Sequence, residues 1–193
     1  MKKILCIIAL LLINAIPAFC DDVLPKEDLR EQARFLYSTN DIVQSRSLLM
    51  RIPDNEKTAD DYLLLANIAQ DNKNNVDAVF YLQKAIITDP SFYKAYYNLA
   101  NLYYADNKIY SAMENYKKVT KLKKDFAYAY YNLGCCHLKK QEYMKAKFMF
   151  GYAIKYKPDE PSFYYNLAYT YKMMKKEKKA EEALTMYNNL MKD

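Results

Sequence analysis

Cys135-Cys136-His137 is the one run in this 193-residue sequence whose side chains have the types for covalent or metal chemistry. A metal centre needs three or four ligands converging on one point. His137 is the only histidine, and the remaining cysteines, Cys6 and Cys20, lie within the first twenty residues. Adjacent cysteines on a helix point about 100° apart, which is incompatible with an undistorted disulfide between them. We therefore expect Cys136 and His137 to pack between helices and Cys135 to be an accessible thiol, with a thiol or metal protein as the minor alternative. The sequence has no Gly-rich phosphate loop, no nucleophile beside a base and no carboxylate pair in an evident cleft. Neither enzymatic activity nor a cofactor nor a small-molecule substrate is expected.

A second set of polar groups recurs with a fixed spacing. Tyr96-Tyr97-Asn98-Leu99-Ala100 returns as Tyr130-Tyr131-Asn132-Leu133-Gly134 and as Tyr164-Tyr165-Asn166-Leu167-Ala168, thirty-four residues apart each time. Tyr62, Leu65 and Ala66 extend the period backwards. An amide offers donors and an acceptor together, so Asn98, Asn132 and Asn166 form a ladder suited to the backbone of an extended peptide. A period of this length is the mark of a stacked repeat array.

The elements that carry this ladder are helices. Only two glycines occur, 52% of residues are hydrophobic, and Ala, Leu, Tyr and Lys dominate, so the fold class is all-α with short connections. Four clean helix pairs are expected from Ala59 onward, as repeats 59–92, 93–126, 127–160 and 161–193. A degenerate first repeat, 26–58, runs one residue short, with Ala33 and Ser45 in the small-residue places. Pro90 and Pro158 fall at equivalent positions, where a proline can open a first helix; Lys124 stands there in the middle copy. Ala66, Ala100, Gly134 and Ala168 are read as facing Ala78, Ala112, Ala146 and Ala180, which lets the two axes of each pair approach closely. Leu82, Tyr116, Phe150 and Leu184 fill the seam.

Residues 1–20 stand apart. Lys2 and Lys3 precede an aliphatic run from Ile4 to Ile13, Pro17 breaks it, and Ala18-Phe19-Cys20 precedes Asp21-Asp22. This is the layout of a secretory signal peptide, and the run is short of the roughly 20 apolar residues of a spanning helix. Cleavage after Cys20, a short lead-in over 21–25 and an exported, periplasmic or secreted product are expected. The rival readings are a lipidated Cys20, which Phe19 and Pro17 fit poorly, and an uncleaved anchor. The formal charge is +6, or +4 once Lys2 and Lys3 are removed. Lysines cluster over 117–124 and 172–179 without the aromatic interleaving that reads single strands, so they are taken as solvated faces and no nucleic-acid partner is expected.

Aromatic, Leu, small residue and aromatic in one helix, then Ala and a large apolar residue in the next, closed by Pro, resembles the tetratricopeptide repeat. His137 and Ala69 depart from that pattern where Tyr is usual. The resemblance implies a right-handed superhelical solenoid whose concave face is built from first helices. Mapped onto this sequence, the groove carries Leu63, Leu64 and Asn67, then Tyr97, Asn98, Asn101 and Tyr104, then Tyr131, Asn132, Cys135 and Leu138, then Tyr165, Asn166 and Tyr169. It implies a protein or peptide ligand in that groove; taken with the export signal, the expected role is an adaptor in a bacterial envelope complex. The last helix carries Leu184, Tyr187 and Leu190 without a polar cap, so the alternative is a structural protein that self-associates as a homo-oligomer through that flank.

Overall fold

The computed structural model describes residues 26–192, so the signal-peptide expectation lies outside the described residues. They form ten α-helices and one 3-10 turn, and no strand occurs among them. None of these helices is long and apolar enough to cross a membrane.

The chain divides at Glu56 into two compact units. The first is a hairpin of α1 (Lys26–Ser38) and α2 (Ile42–Arg51), followed by a 3-10 turn at Asp54–Glu56. Its axis contact runs through Ala33 and Ser45, both wholly buried. The Ser45 hydroxyl donates to the Ala33 carbonyl at 2.8 Å, so the serine in an alanine slot keeps its polar atom satisfied.

The second unit holds four hairpins: α3 (Ala59–Asp71) with α4 (Asn75–Thr88), α5 (Tyr93–Ala105) with α6 (Ile109–Leu122), α7 (Ala127–Lys139) with α8 (Tyr143–Tyr156), and α9 (Pro161–Met173) with α10 (Glu177–Leu190). Every first helix has 13 residues and every second helix 14. First helices of neighbouring hairpins touch, α3 with α5 and α7 with α9, while successive second helices make no comparable contact. The row therefore curves with the first helices inside.

One turn joins each pair. Lys73, Asn107, Gln141 and Lys175 take left-handed backbone conformations with φ between 57° and 58°, and Asn40 in the first unit does so with φ 66°. The next amide donates back into the helix, Asn74 to Ala69 at 2.8 Å and Glu142 to His137 at 2.9 Å. This closes each first helix and satisfies carbonyls that would otherwise end unpaired. In the first three hairpins of the second unit the small-residue and seam positions behave as expected; in the last, where α10 packs chiefly on α9, Ala180 is only half-buried and Leu184, expected in the seam, is 42% exposed. Ala66, Ala78, Ala100, Ala112 and Ala146 are fully buried, as are Leu82, Phe150 and, almost wholly, Tyr116. Gly134 is an exception with a cause: a methyl group there would stand 2.6 Å from the Phe150 ring.

The prolines are placed differently from the expectation. Pro90 and Pro158 lie in the connecting turns, and the proline that opens a helix is Pro161. The shared role of positions 90, 124 and 158 is to offer a carbonyl to a tyrosine six residues on: Tyr96 to Pro90 at 3.3 Å, Tyr130 to Lys124 at 3.0 Å and Tyr164 to Pro158 at 2.9 Å. A lysine serves as well as a proline, because only the carbonyl is used.

Candidate functional site

Each member of the Tyr-Tyr-Asn-Leu run has its own task. The first tyrosine ties the preceding turn to the helix. The second packs its ring between hairpins, Tyr97 against Phe126 and Tyr131 against Phe163, both with centroids 4.9 Å apart. The leucine enters the core, with Leu99 and Leu133 buried.

The asparagine reaches back to the hairpin before it. Asn98 Nδ2 donates to Asn67 Oδ1 at 3.2 Å. Asn132 Nδ2 donates to the Tyr97 hydroxyl at 3.2 Å and to Asn101 Oδ1 at 3.1 Å. Asn166 Nδ2 donates to the Tyr131 hydroxyl at 2.9 Å and lies 3.5 Å from Cys135 Sγ. Tyr116, from the second helix α6, closes the middle cluster by donating to Asn101 Oδ1 at 2.6 Å. The ladder is thus a set of links between hairpins, and what it leaves without a donor is the carbonyl oxygen of each amide. Among the described residues nothing donates to Oδ1 of Asn98, Asn132 or Asn166.

Burial is the main force on the phenols. It raises Tyr97 and pushes Tyr104 and Tyr131 up to about 12, so all three stay neutral and present both donor and acceptor. The Lys139 ammonium sits over the Tyr104 ring at 4.3 Å. Tyr165 and Tyr169 are the most open of the expected residues, 54% and 48% exposed. Tyr165 stacks at a tilt on Tyr187 of the last helix. Leu64, expected along the groove, is buried instead, while Leu63 and Leu138 are half-buried.

Of the cysteine–histidine run, Cys136 and His137 are interior, while Cys135, expected to be accessible, is half-buried. Cys136 is wholly buried and His137 nearly so. Desolvation pushes the thiols up to about 11 at Cys135 and about 12 at Cys136, which leaves them protonated and weakly nucleophilic near neutral pH. His137 Nδ1 faces Glu142 Oε2 at 2.7 Å. Burial lowers the imidazole more than the carboxylate raises it, so a neutral ring donates to a carboxylate held down at about 2 by His137, Lys140 and Lys145. Among the described residues no three His, Cys, Asp or Glu side chains converge as a metal site. The His137–Glu142 bond was legible in principle, since position 142 follows the left-handed turn residue and lies beside the end of α7.

Models of the TPR repeat and the tetratricopeptide repeat match residues 100–141 and residues 127–160 and 161–185, respectively. Residues 100–185, within the second unit, therefore match tetratricopeptide repeats. Solved structures described as "Crystal structure of MamA", "Crystal structure of MamA protein" and "MamA RS-1 ArsTM double mutant" are similar to it, at 20%, 19% and 17% identity with TM-scores of 0.74, 0.75 and 0.78. They cover 83%, 86% and 86% of this chain and 94%, 92% and 94% of their own. At that identity the likeness shows the fold, a tetratricopeptide-type solenoid. Comparison with curated protein sequences finds no match.

Proposed function

We propose that this chain is a non-enzymatic, exported adaptor that holds a protein or an extended peptide against its row of first helices. The observation that carries the reading is the amide row. Asn98, Asn132 and Asn166 have their donors fixed between hairpins and their Oδ1 atoms unengaged, beside the tyrosines of the same helices. Preset acceptors at repeat spacing suit the backbone N–H groups of an extended partner, and the open Tyr165 and Tyr169 rings add stiff amphipathic area. Each amide bond is worth about 0.5–1.5 kcal/mol net, so three supply about 1.5–4.5 kcal/mol, millimolar at best by themselves, and micromolar affinity needs side-chain contacts as well. Tetratricopeptide arrays bind protein partners, which favours this use of the surface. Export rests on the charge and apolarity of residues 1–20.

The test is affinity capture from an envelope extract with the parent and with Tyr165→Ala, Tyr169→Ala, followed by cross-link mapping. These two are preferable to Tyr131 or Asn132, whose replacement would break links between hairpins. A partner that cross-links to first-helix residues and is lost with the variant supports the adaptor reading. Equal recovery by both refutes it.

A second reading has one observation in its favour. On α10, Leu184 and Met186 are 42% and 45% exposed, while Tyr187 and Leu190 are half-buried. Self-association through this flank predicts a concentration-dependent sedimentation coefficient that Leu184→Ser abolishes. A strict monomer would remove the reading.

A further inference from the structure

The outer side of the array carries a feature the groove does not use. Between α6 and α8 lies a cleft of about 610 Å³ whose wall includes Tyr110, Met113, Phe148, Met149 and Tyr152. Tyr110, Phe148 and Tyr152 are 72%, 54% and 45% exposed, three aromatic rings on a face of second helices turned away from the amide row. Met113 and Met149 belong to the packed core beneath and supply an adaptable apolar floor.

Charge is concentrated at the same place. Lys117, Lys140 and Lys145 line the cleft against a single carboxylate, Glu142, which His137, Lys140 and Lys145 already engage. Lys117, on the cleft wall, has no carboxylate within ion-pair reach among the described residues. Lys140 and Lys147 lie over the Tyr110 and Phe148 rings at 4.1 and 4.2 Å, so cations border the apolar wall directly.

We propose that this cleft is a second docking site, which takes an acidic segment of a partner protein through one or two aromatic or aliphatic side chains. A recess between two helices admits a side chain, and the lysines around it then meet the carboxylates flanking that side chain. A lipid surface is the lesser fit, because its headgroups would reach the rim and leave the apolar floor uncovered. The site is separate from the first-helix surface and stands or falls independently of the adaptor reading.

The experiment is fluorescence anisotropy of the purified chain with a labelled peptide of about twelve residues, Asp and Glu throughout except for one Phe and one Leu inside. A second peptide has Ser at those two places, and phosphatidylglycerol vesicles are tested by sedimentation. The Phe/Leu peptide should bind, weaken as salt rises and exceed the Ser peptide by about tenfold. Phe148→Ser with Tyr152→Ser, at exposed positions that leave the core intact, should cost about tenfold, and so should Lys117→Glu with Lys145→Glu. Tyr165→Ala with Tyr169→Ala should bind as the parent does. Equal binding of the two peptides, insensitivity to both cleft variants, or binding to vesicles without binding to the peptide would overturn the proposal.

Discussion

Gly134→Ala is the sharpest test of how the hairpins pack, because two opposing effects meet at one carbon. In an open helix, replacing glycine by alanine gains about 1 kcal/mol of propensity. Gly151 is such a place: it lies in α8, and an added methyl meets nothing within 4 Å. At Gly134 the methyl would stand 2.6, 2.9 and 3.0 Å from three atoms of the Phe150 ring. Carbon atoms rest about 3.5–4.0 Å apart, so the ring must withdraw by roughly 1 Å. It is wholly buried and sits against Tyr131, centroids 5.8 Å apart, which makes withdrawal costly at about 1–3 kcal/mol. Gly151→Ala should therefore raise stability by about 1 kcal/mol, while Gly134→Ala should be neutral to about 2 kcal/mol destabilising. The gap between them isolates the collision. Phe150→Leu in the Gly134→Ala background recreates the Ala66–Leu82 pairing of the hairpin α3–α4 and should recover about 1 kcal/mol or more of coupling energy. Urea unfolding of Gly151→Ala, Gly134→Ala, Phe150→Leu and the Gly134→Ala, Phe150→Leu double variant, with hydrogen exchange over α7 and α8, supplies the numbers. Gly134→Ala stabilising as much as Gly151→Ala would refute the proposed register of the two helices.

Three further outcomes follow from the geometry. Gln141 and Lys175 hold left-handed backbone at φ 58° and 57°, so Gly at either place should raise stability by about 0.5–1 kcal/mol, seen as a higher urea midpoint; a fall would mean that side-chain contacts outweigh the strain. His137 is kept neutral by burial, with its proton affinity below the ordinary value of 6.5. The unfolded chain therefore takes the proton first, and stability should fall as pH drops below about 6.5. Glu142 adds a second loss from the ordinary 4.5 down toward about 2. Urea midpoints from neutral to acid pH should show the upper step in the parent and lack it in His137→Asn. Cys135 and Cys136 should react slowly with a disulfide reagent in the folded chain at mildly alkaline pH and quickly in urea; rapid reaction of Cys135 in the fold would contradict its protonated state.

The hairpin array was legible because small residues, leucines and tyrosines recur at one period, and burial follows those positions closely from Ala66 to Ala168. The prolines misled because their position was read through the backbone N–H they lack, while the structure uses the carbonyl they share with Lys124. The amides were legible as a row but not in their bonding. Whether Asn132 Nδ2 points to solvent or to Tyr97 depends on how neighbouring hairpins rotate, and no spacing within one helix encodes that. The outer cleft escaped for a related reason, since Tyr110 and Phe148 lie thirty-eight residues apart and meet only through the stacking of α6 and α8.

The links between hairpins bear on mechanics. Among the described residues of the second unit, the backbone hydrogen bonds outside helices span five residues or fewer, so none crosses from one hairpin to the next. Side chains alone join them: Asn98 to Asn67, Asn132 to Tyr97 and Asn101, Asn166 to Tyr131, and Tyr128 to Glu160 at 2.9 Å. Such joints slide and re-form without breaking a helix. Under tension along residues 57–193, the array should behave as a soft spring, opening its curve first and surrendering hairpins one at a time, with a sawtooth of small, similar force steps.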